Sequence, residues 1–384
     1  MPLDLSTRPG TGARTEAGRR TTRHPHSLAL TLAGAVASAV LVSVFPVFNP
    51  LAAQTERQSL SGSRVALYNL VGEVRIERGR GRNVEFEITR RGADARQLRI
   101  ETGDVRGIPT LRVIYPDDQI VYDRGGERSW GSTESRIRSD GTWGGDNSWR
   151  DGRKVRISSR GNGLEAWADI RVLVPDGQKF DANLLVGELK AYDVDADLSL
   201  DAASARITAE RVQGILDIDN GSGSIVVRDT RGPSLRLDTG SGGVTIDRVK
   251  ADDCSIDTGS GGVGGTGAVC DRLDIDIGSG SVRLMETSAG SITVDAGSGG
   301  VTLDLRQSPR SASVESGSGS VSITVPSNFG ATVDIETGSG GITTDFPITT
   351  SRFARRELHG TIGDGRGRLR VETGSGSVRL IRGS

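Results

Sequence analysis

Leu235-Arg-Leu-Asp-Thr-Gly-Ser-Gly-Gly-Val-Thr-Ile-Asp247 decides how this chain is read. Two short stretches alternate apolar and polar residues, the period of a half-buried strand, and a Gly-Ser-Gly corner joins them. The phrase recurs. Gly-Ser-Gly, then Ser or Gly, then an apolar residue, begins at Gly221, Gly240, Gly259, Gly278, Gly297, Gly317, Gly338 and Gly374. The first five copies are 19 residues apart and the later gaps are 20, 21 and 36. A fixed period of about 20 residues marks coils that cannot bury an apolar face alone and do so by stacking.

Counted from the first glycine of each copy, position −5 is Leu216, Leu235, Cys254, Leu273, Ile292, Ala312, Val333 and Leu369. Position +4 is Ile225, Val244, Val263, Val282, Val301, Val321, Ile342 and Val378. Even offsets share one face of a strand, so these aliphatic rows form the interior. The expectation is an all-β chain: a parallel β-helix or β-solenoid with rungs of about 19 residues and Gly-Ser-Gly corners. The corner glycines are expected to take positive φ where a Cβ would clash. The corner serine is expected to bond the turn backbone and its neighbours along the stack.

Position −2 is acidic in every copy: Asp219, Asp238, Asp257, Asp276, Asp295, Glu315, Glu336 and Glu372. Alternation turns these side chains outward, and parallel stacking sets neighbours about 4.8 Å apart. Two such charges repel by about 0.9 kcal/mol in a water-like dielectric. Three arrangements offset this: hydrogen bonds to corner N–H groups, a row of bound cations of which Ca²⁺ fits oxygen ligands best, or plain solvation.

Composition narrows the function classes. Of 384 residues 35% are hydrophobic and 4% aromatic, low for a globular core but sufficient for thin stacked slices. Lys+Arg 48 against Asp+Glu 49 leaves no basic field for nucleic acid. Gly259-Ser-Gly-Gly-Val-Gly264 matches a dinucleotide fingerprint in form, yet the same corner recurs in the other rungs and no βαβ unit follows. No serine sits in a Gly-x-Ser-x-Gly elbow, and His24, His26 and His359 are scattered without a triad or zinc spacing.

Taken in order, residues 1–54 read as a secretory signal: a basic head, an apolar run at 28–48, Pro50, then small residues before a cleavage point after Ala53. The competing reading is an uncleaved membrane anchor formed by residues 28–48. Either way the remainder is exported, to the periplasm, the cell surface or the medium. Residues 55–122 alternate as strands and are expected to form an N-terminal β-rich cap, with the first rung near residue 65. Residues 123–163, rich in Gly, Arg and Trp, are expected to form a long loop. Its tryptophans, Trp130, Trp143 and Trp149, either grip a sugar or peptide, pack on the solenoid, or belong to a disordered segment. Solenoid repeats fill 164–384, with an insertion from Thr344 to about residue 366 and a last rung at 369–380 closing the chain. Cys254 and Cys270, the only cysteines, lie in adjacent rungs of an exported chain, which allows a disulfide, although they are out of register.

These features together resemble the "putative adhesin" family of bacterial envelope β-strand-repeat proteins, a domain-of-unknown-function family. The resemblance rests on the export signal, Asn69-Leu-Val-Gly-Glu-Val74, Val172-Leu-Val-Pro-Asp-Gly177, the serial Asp-Thr-Gly-Ser-Gly-Gly-Val copies and Val371-Glu-Thr-Gly-Ser-Gly-Ser-Val-Arg-Leu380. It implies a right-handed β-solenoid and an exported protein, and brings no catalytic motif. The leading expectation is a non-enzymatic envelope scaffold or binding module facing an envelope glycan or a surface protein. The alternatives are a polysaccharide-acting β-helix enzyme, which requires unlike charges converging on one groove, and an envelope-stress or signalling accessory.

Overall fold

A computed structural model describes residues 55–123, 131–144 and 152–383. The leader or anchor expected at 1–54 lies outside them, as do Trp130 and Trp149. Among the described residues, regular structure is β-strand apart from one 3₁₀ turn at Ala95–Gln97, and no helix is long and apolar enough to cross a membrane.

The repeats stack in parallel as a solenoid. Leu216, Leu235, Cys254, Leu273, Ile292 and Ala312 are successive register partners, none more than 3% exposed. Ile225, Val244, Val263, Val282, Val301 and Val321 form the facing row, none more than 2% exposed. Each Leu, Ile or Val of these rows contributes about 1.5–3 kcal/mol by leaving water, so short strands hold because neighbours repeat the same burial.

The corners follow a different rule from the one expected. Of the Gly-Ser-Gly glycines only Gly223 has positive φ, at 119°. The others are required by the coil beneath. A Cβ on Gly240 would lie 2.6 Å from the Gly221 carbonyl oxygen, and one on Gly299 would lie 1.4 Å from that of Gly280. Positive φ occurs instead at the opposite corner, in a column of Asp193, Arg211, Asp229, Arg248, Gly267 and Glu286 with φ between 51° and 72°. A non-glycine residue in this region costs about 1 kcal/mol. Charge alternates over its first four members, and Arg211 pairs with Asp193 and Arg248 with Asp229. Nothing in that run of Asp, Arg and Glu announces a left-handed turn.

The solenoid ends also depart from the linear reading. Strand Arg64–Arg78 is a full rung inside the stack, paired in parallel with Lys179–Asp195. Its other edge takes Ile108–Ile114 at one end and Trp167–Val174 at the other, so parts of the expected excursion complete a rung. Antiparallel strands Val84–Arg91 and Thr55–Leu60 then close this end. At the far end the last strands of the chain are not the last rung. Gly367–Thr373 lies between Ser311–Ser316 and Ala331–Thr337, parallel to both. The terminal rung is therefore Ala331–Thr337, and the insertion caps it as an antiparallel hairpin of Thr349–Ala354 and Glu357–Ile362. Sequence order cannot show this, because the copies are interchangeable in register.

Cys254 and Cys270 are disulfide-bonded, with Cα atoms 6.1 Å apart and both side chains buried. Cys270 is the register partner of Ala251, so the bond runs diagonally between adjacent rungs.

The segment expected to be a long loop carries a small sheet. Gln119–Val121 pairs in parallel with Arg153–Ser158, and Ser132–Ile137 pairs antiparallel with the same strand. These strands alternate, but mostly between one polar residue and another, and the surrounding Gly, Arg and Trp hid the period.

Candidate functional site

The small sheet forms a flap over one face of the solenoid, and a tight turn fixes Trp143 beneath it. Asp140 Oδ1 accepts the Thr142 N–H at 3.0 Å and its hydroxyl at 2.7 Å. Arg112 Nη1 donates to the Asp140 carbonyl at 3.0 Å, and Arg138 Nη1 to Thr142 Oγ1 at 3.2 Å. Trp143 is 7% exposed and meets the Tyr68 ring edge-on, centroids 5.0 Å apart. Packing on the solenoid is thus what the structure shows for this tryptophan. Its indole Nε1 is nevertheless shut off from water without a hydrogen-bond partner among the described residues. An unmet buried donor costs about 1–3 kcal/mol.

Trp143 lines a cleft of about 540 Å³ together with Glu134, Arg136, Lys154, Leu185 and Asp201. Lys154 Nζ, 2.6 Å from Glu134, holds that carboxyl below its usual range. Asp201 is the reverse case. Burial, with the nearby Asp219 charge adding to it, pushes its carboxyl up to about 6. Asp201 also lines a neighbouring cavity of about 210 Å³ with Arg64, Tyr68 and Arg106. Unlike charges thus converge at one aromatic-floored groove, where the flap meets the rungs that carry Leu185 and Asp201.

From Asp201 an acidic row runs along the solenoid. Asp201, Asp219, Asp238, Asp257, Asp276, Asp295, Glu315, Glu372 and Glu336 are successive register partners. The row is one residue longer than the sequence indicated and ends in the rearranged order. Burial raises Asp219, Asp238 and Asp276, and adjacent carboxylates add to each. Glu372 is paired with Arg370 at 3.0 Å.

The corner-capping role weighed for these acids belongs to the residue beside them. Thr258 Oγ1 accepts the Gly261 N–H at 2.9 Å and donates to the Gly242 carbonyl of the next rung at 3.3 Å. Ser316, Thr337 and Thr373 repeat the arrangement, accepting from Gly319, Gly340 and Gly376. This hydroxyl row, at position −1, was visible as Thr or Ser before the corner but was masked by Ile277 and Ala296 in the middle copies. The corner serines contribute less, as in the 3.4 Å contact of Ser222 Oγ with the Ala203 carbonyl.

His359 is not isolated, as its place in an insertion suggested. Its Nδ1 lies 2.8 Å from Asp334 Oδ1, and with Glu336 these form the one group of three converging potential metal ligands among the described residues.

No curated protein matches this chain in sequence. A solved structure described as a putative cell adhesion protein from Clostridium sporogenes is similar at 11% identity over 86% of this chain and 99% of that one, with a TM-score of 0.20, too remote to carry a conclusion. Residues 165–380, more than half of the chain and every rung from Trp167 onward, match the family model described as Toastrack DUF4097, and the chain belongs to that family.

Proposed function

We propose that this chain is an exported envelope scaffold that binds glycan in the cleft beneath the flap and catalyses no reaction. Export is supported by the basic head, apolar run and small residues of 1–54, and by a buried disulfide, which suits an oxidising compartment. A stiff stack of parallel rungs is a platform on which one end carries the flap.

The observation that carries the binding reading is Trp143: a buried ring with an unpartnered indole N–H, lining a groove that also holds Asp201, Arg136 and Lys154. A sugar offers an apolar face for the ring and hydroxyls that donate to carboxylates and, when the flap lifts enough to uncover it, accept from the N–H. The test is retention of mature protein, residues 54–384, on an array of envelope polysaccharides. Trp143→Ala is expected to abolish retention, and Trp143→Phe, which keeps the ring and removes the N–H, to weaken it about tenfold. Unchanged retention of Trp143→Ala rules the cleft out. Binding to an envelope protein and to no polysaccharide would move the reading to a surface-protein partner.

One observation favours a second reading in the same place. Glu134 and Asp201 line one cleft with their carboxyl groups pushed in opposite directions, the pattern of an acid and base pair in polysaccharide hydrolysis. Turnover of a bound polysaccharide that disappears in Asp201→Asn would establish this enzyme reading; binding without turnover leaves the scaffold.

A further inference from the structure

We propose that Asp334, Glu336 and His359 form a binding site for a divalent first-row transition metal of the zinc class, built on the cap of the solenoid.

The backbone brings the three together. Asp334 and Glu336 are two residues apart on strand Ala331–Thr337, which puts both side chains on one face. The capping strand Glu357–Ile362 runs antiparallel beside it, and His359 is the direct register partner of Asp334. Cross-strand partners hold their Cβ atoms about 4.5–5.5 Å apart, within reach of a shared ion. One donor atom from each residue lies within 4.8 Å of the other two. Two ligands at about 2.1 Å from a zinc ion span up to about 4.2 Å, so rotation of the exposed Glu336 side chain supplies the closure.

Two further observations point to a ligand here. Asp334 Oδ1 is itself shut off from solvent in a side chain that is 44% exposed, and it meets His359 Nδ1 at 2.8 Å without a well-formed hydrogen bond. Asp334 and His359 also line a cleft of about 440 Å³ whose other walls include Thr332, Thr349, Thr350 and Thr361. Two cationic neighbours that would otherwise neutralise the site are engaged elsewhere: Arg370, in register with Asp334, pairs with Glu372, and Arg352, in register with His359, pairs with Glu357.

The donor set selects the metal class. One imidazole nitrogen and two carboxylates suit zinc and its first-row neighbours, whereas Ca²⁺ takes oxygen ligands and Mg²⁺ keeps most of its waters. Three protein donors leave a coordination position for water or a small ligand in the threonine-lined cleft.

The experiment is equilibrium dialysis of mature protein, residues 54–384, against zinc chloride in the presence of millimolar calcium, followed by metal analysis. One zinc per chain is expected, with binding at least about tenfold weaker in His359→Gln and in Glu336→Gln and unchanged in Asp257→Asn. Melting curves recorded without metal establish that each variant folds as the wild type does. Absence of zinc from the wild type overturns the proposal, as does zinc retained with full affinity by a folded His359→Gln.

Discussion

Gly261 rests on Gly242 so closely that a methyl group on the upper residue would lie 1.7 Å from the carbonyl oxygen of the lower. The contact is backbone to backbone, so no side-chain rotation relieves it. Gly261→Ala is therefore expected to destabilise the central rungs by about 3 kcal/mol or more, the range of severe overpacking. Gly243, one corner position away, has its nearest neighbour atom 3.6 Å from the built Cβ, and Gly243→Ala is expected to cost under about 0.5 kcal/mol. Urea melts of the two variants separate close approach from a general need for flexible corners, because equal losses would remove the distinction.

Thr258 supports the same corner by hydrogen bonding. Thr258→Val keeps shape and volume but leaves the Gly261 N–H and the Gly242 carbonyl without its hydroxyl. The expected loss is about 1–3 kcal/mol by urea melt. Its register partner in the next rung is Ile277, so Ile277→Thr adds a hydroxyl at a corner that lacks one and should cost much less than Thr258→Val loses. Equal effects of the two substitutions would mean that the hydroxyl row is not a cap.

Much of this was legible in advance, and the reason is periodicity. Leu235, Val244 and Asp238 each announced a row because their equivalents recur at one offset and the interior of a solenoid is linear. The reason for glycine is not legible, since sequence cannot separate a left-handed backbone from a close neighbour, and the two occur at opposite corners of the rung. The order of the last rungs was invisible because Leu369 is an equally good partner for Ala312 and for Val333. The flap and the His359 cluster stayed hidden for another reason: neither repeats. Trp143 stood out by composition alone, and Asp201 did not stand out, because Ala203-Ser-Ala205 replaces the Gly-Ser-Gly phrase in its rung.

Asp201 makes stability depend on pH in an unusual direction. Its carboxyl is raised to about 6 in the folded chain from an ordinary 3.8, so the folded state binds the proton more tightly than the unfolded state. Stability from this group is present below about 3.8 and is lost as pH rises through about 6. Asp219, Asp238 and Asp276 shift the same way. Urea melts at pH 7 and pH 5 are expected to show a more stable protein at pH 5. Asp201→Asn should stabilise the protein at pH 7 by on the order of 2 kcal/mol and flatten the profile. A wild type that weakens steadily from pH 7 to pH 5 contradicts this.

Calcium bound along the row would offset the same repulsion. Parallel strands lie about 4.8 Å apart and calcium lies about 2.3–2.6 Å from each oxygen, so a cation between two rungs would bridge their carboxylates without moving the backbone. Millimolar calcium at pH 7 is expected to raise the melting temperature by a few degrees, chelator to reverse it, and Asp257→Asn to reduce it. No calcium shift would leave the row simply solvated.

Gly367–Thr373 fills the gap between Ser311–Ser316 on one side and Ala331–Thr337 on the other. Neither flanking strand has the other as a partner, so removing the last segment leaves two exposed edges and an unsupported cap. Val314 and Val333 would lose the buried Val371 and Leu369 rows between them. Stability in a stacked array is a sum of nearest-neighbour terms, so the damage should stay local. A chain ending at residue 364 is expected to lose amide-exchange protection across 311–344 while 216–300 remains protected. Protection kept at 311–344 would show that those rungs close on each other unaided, and uniform loss would show that the solenoid melts as one unit from its C-terminal end.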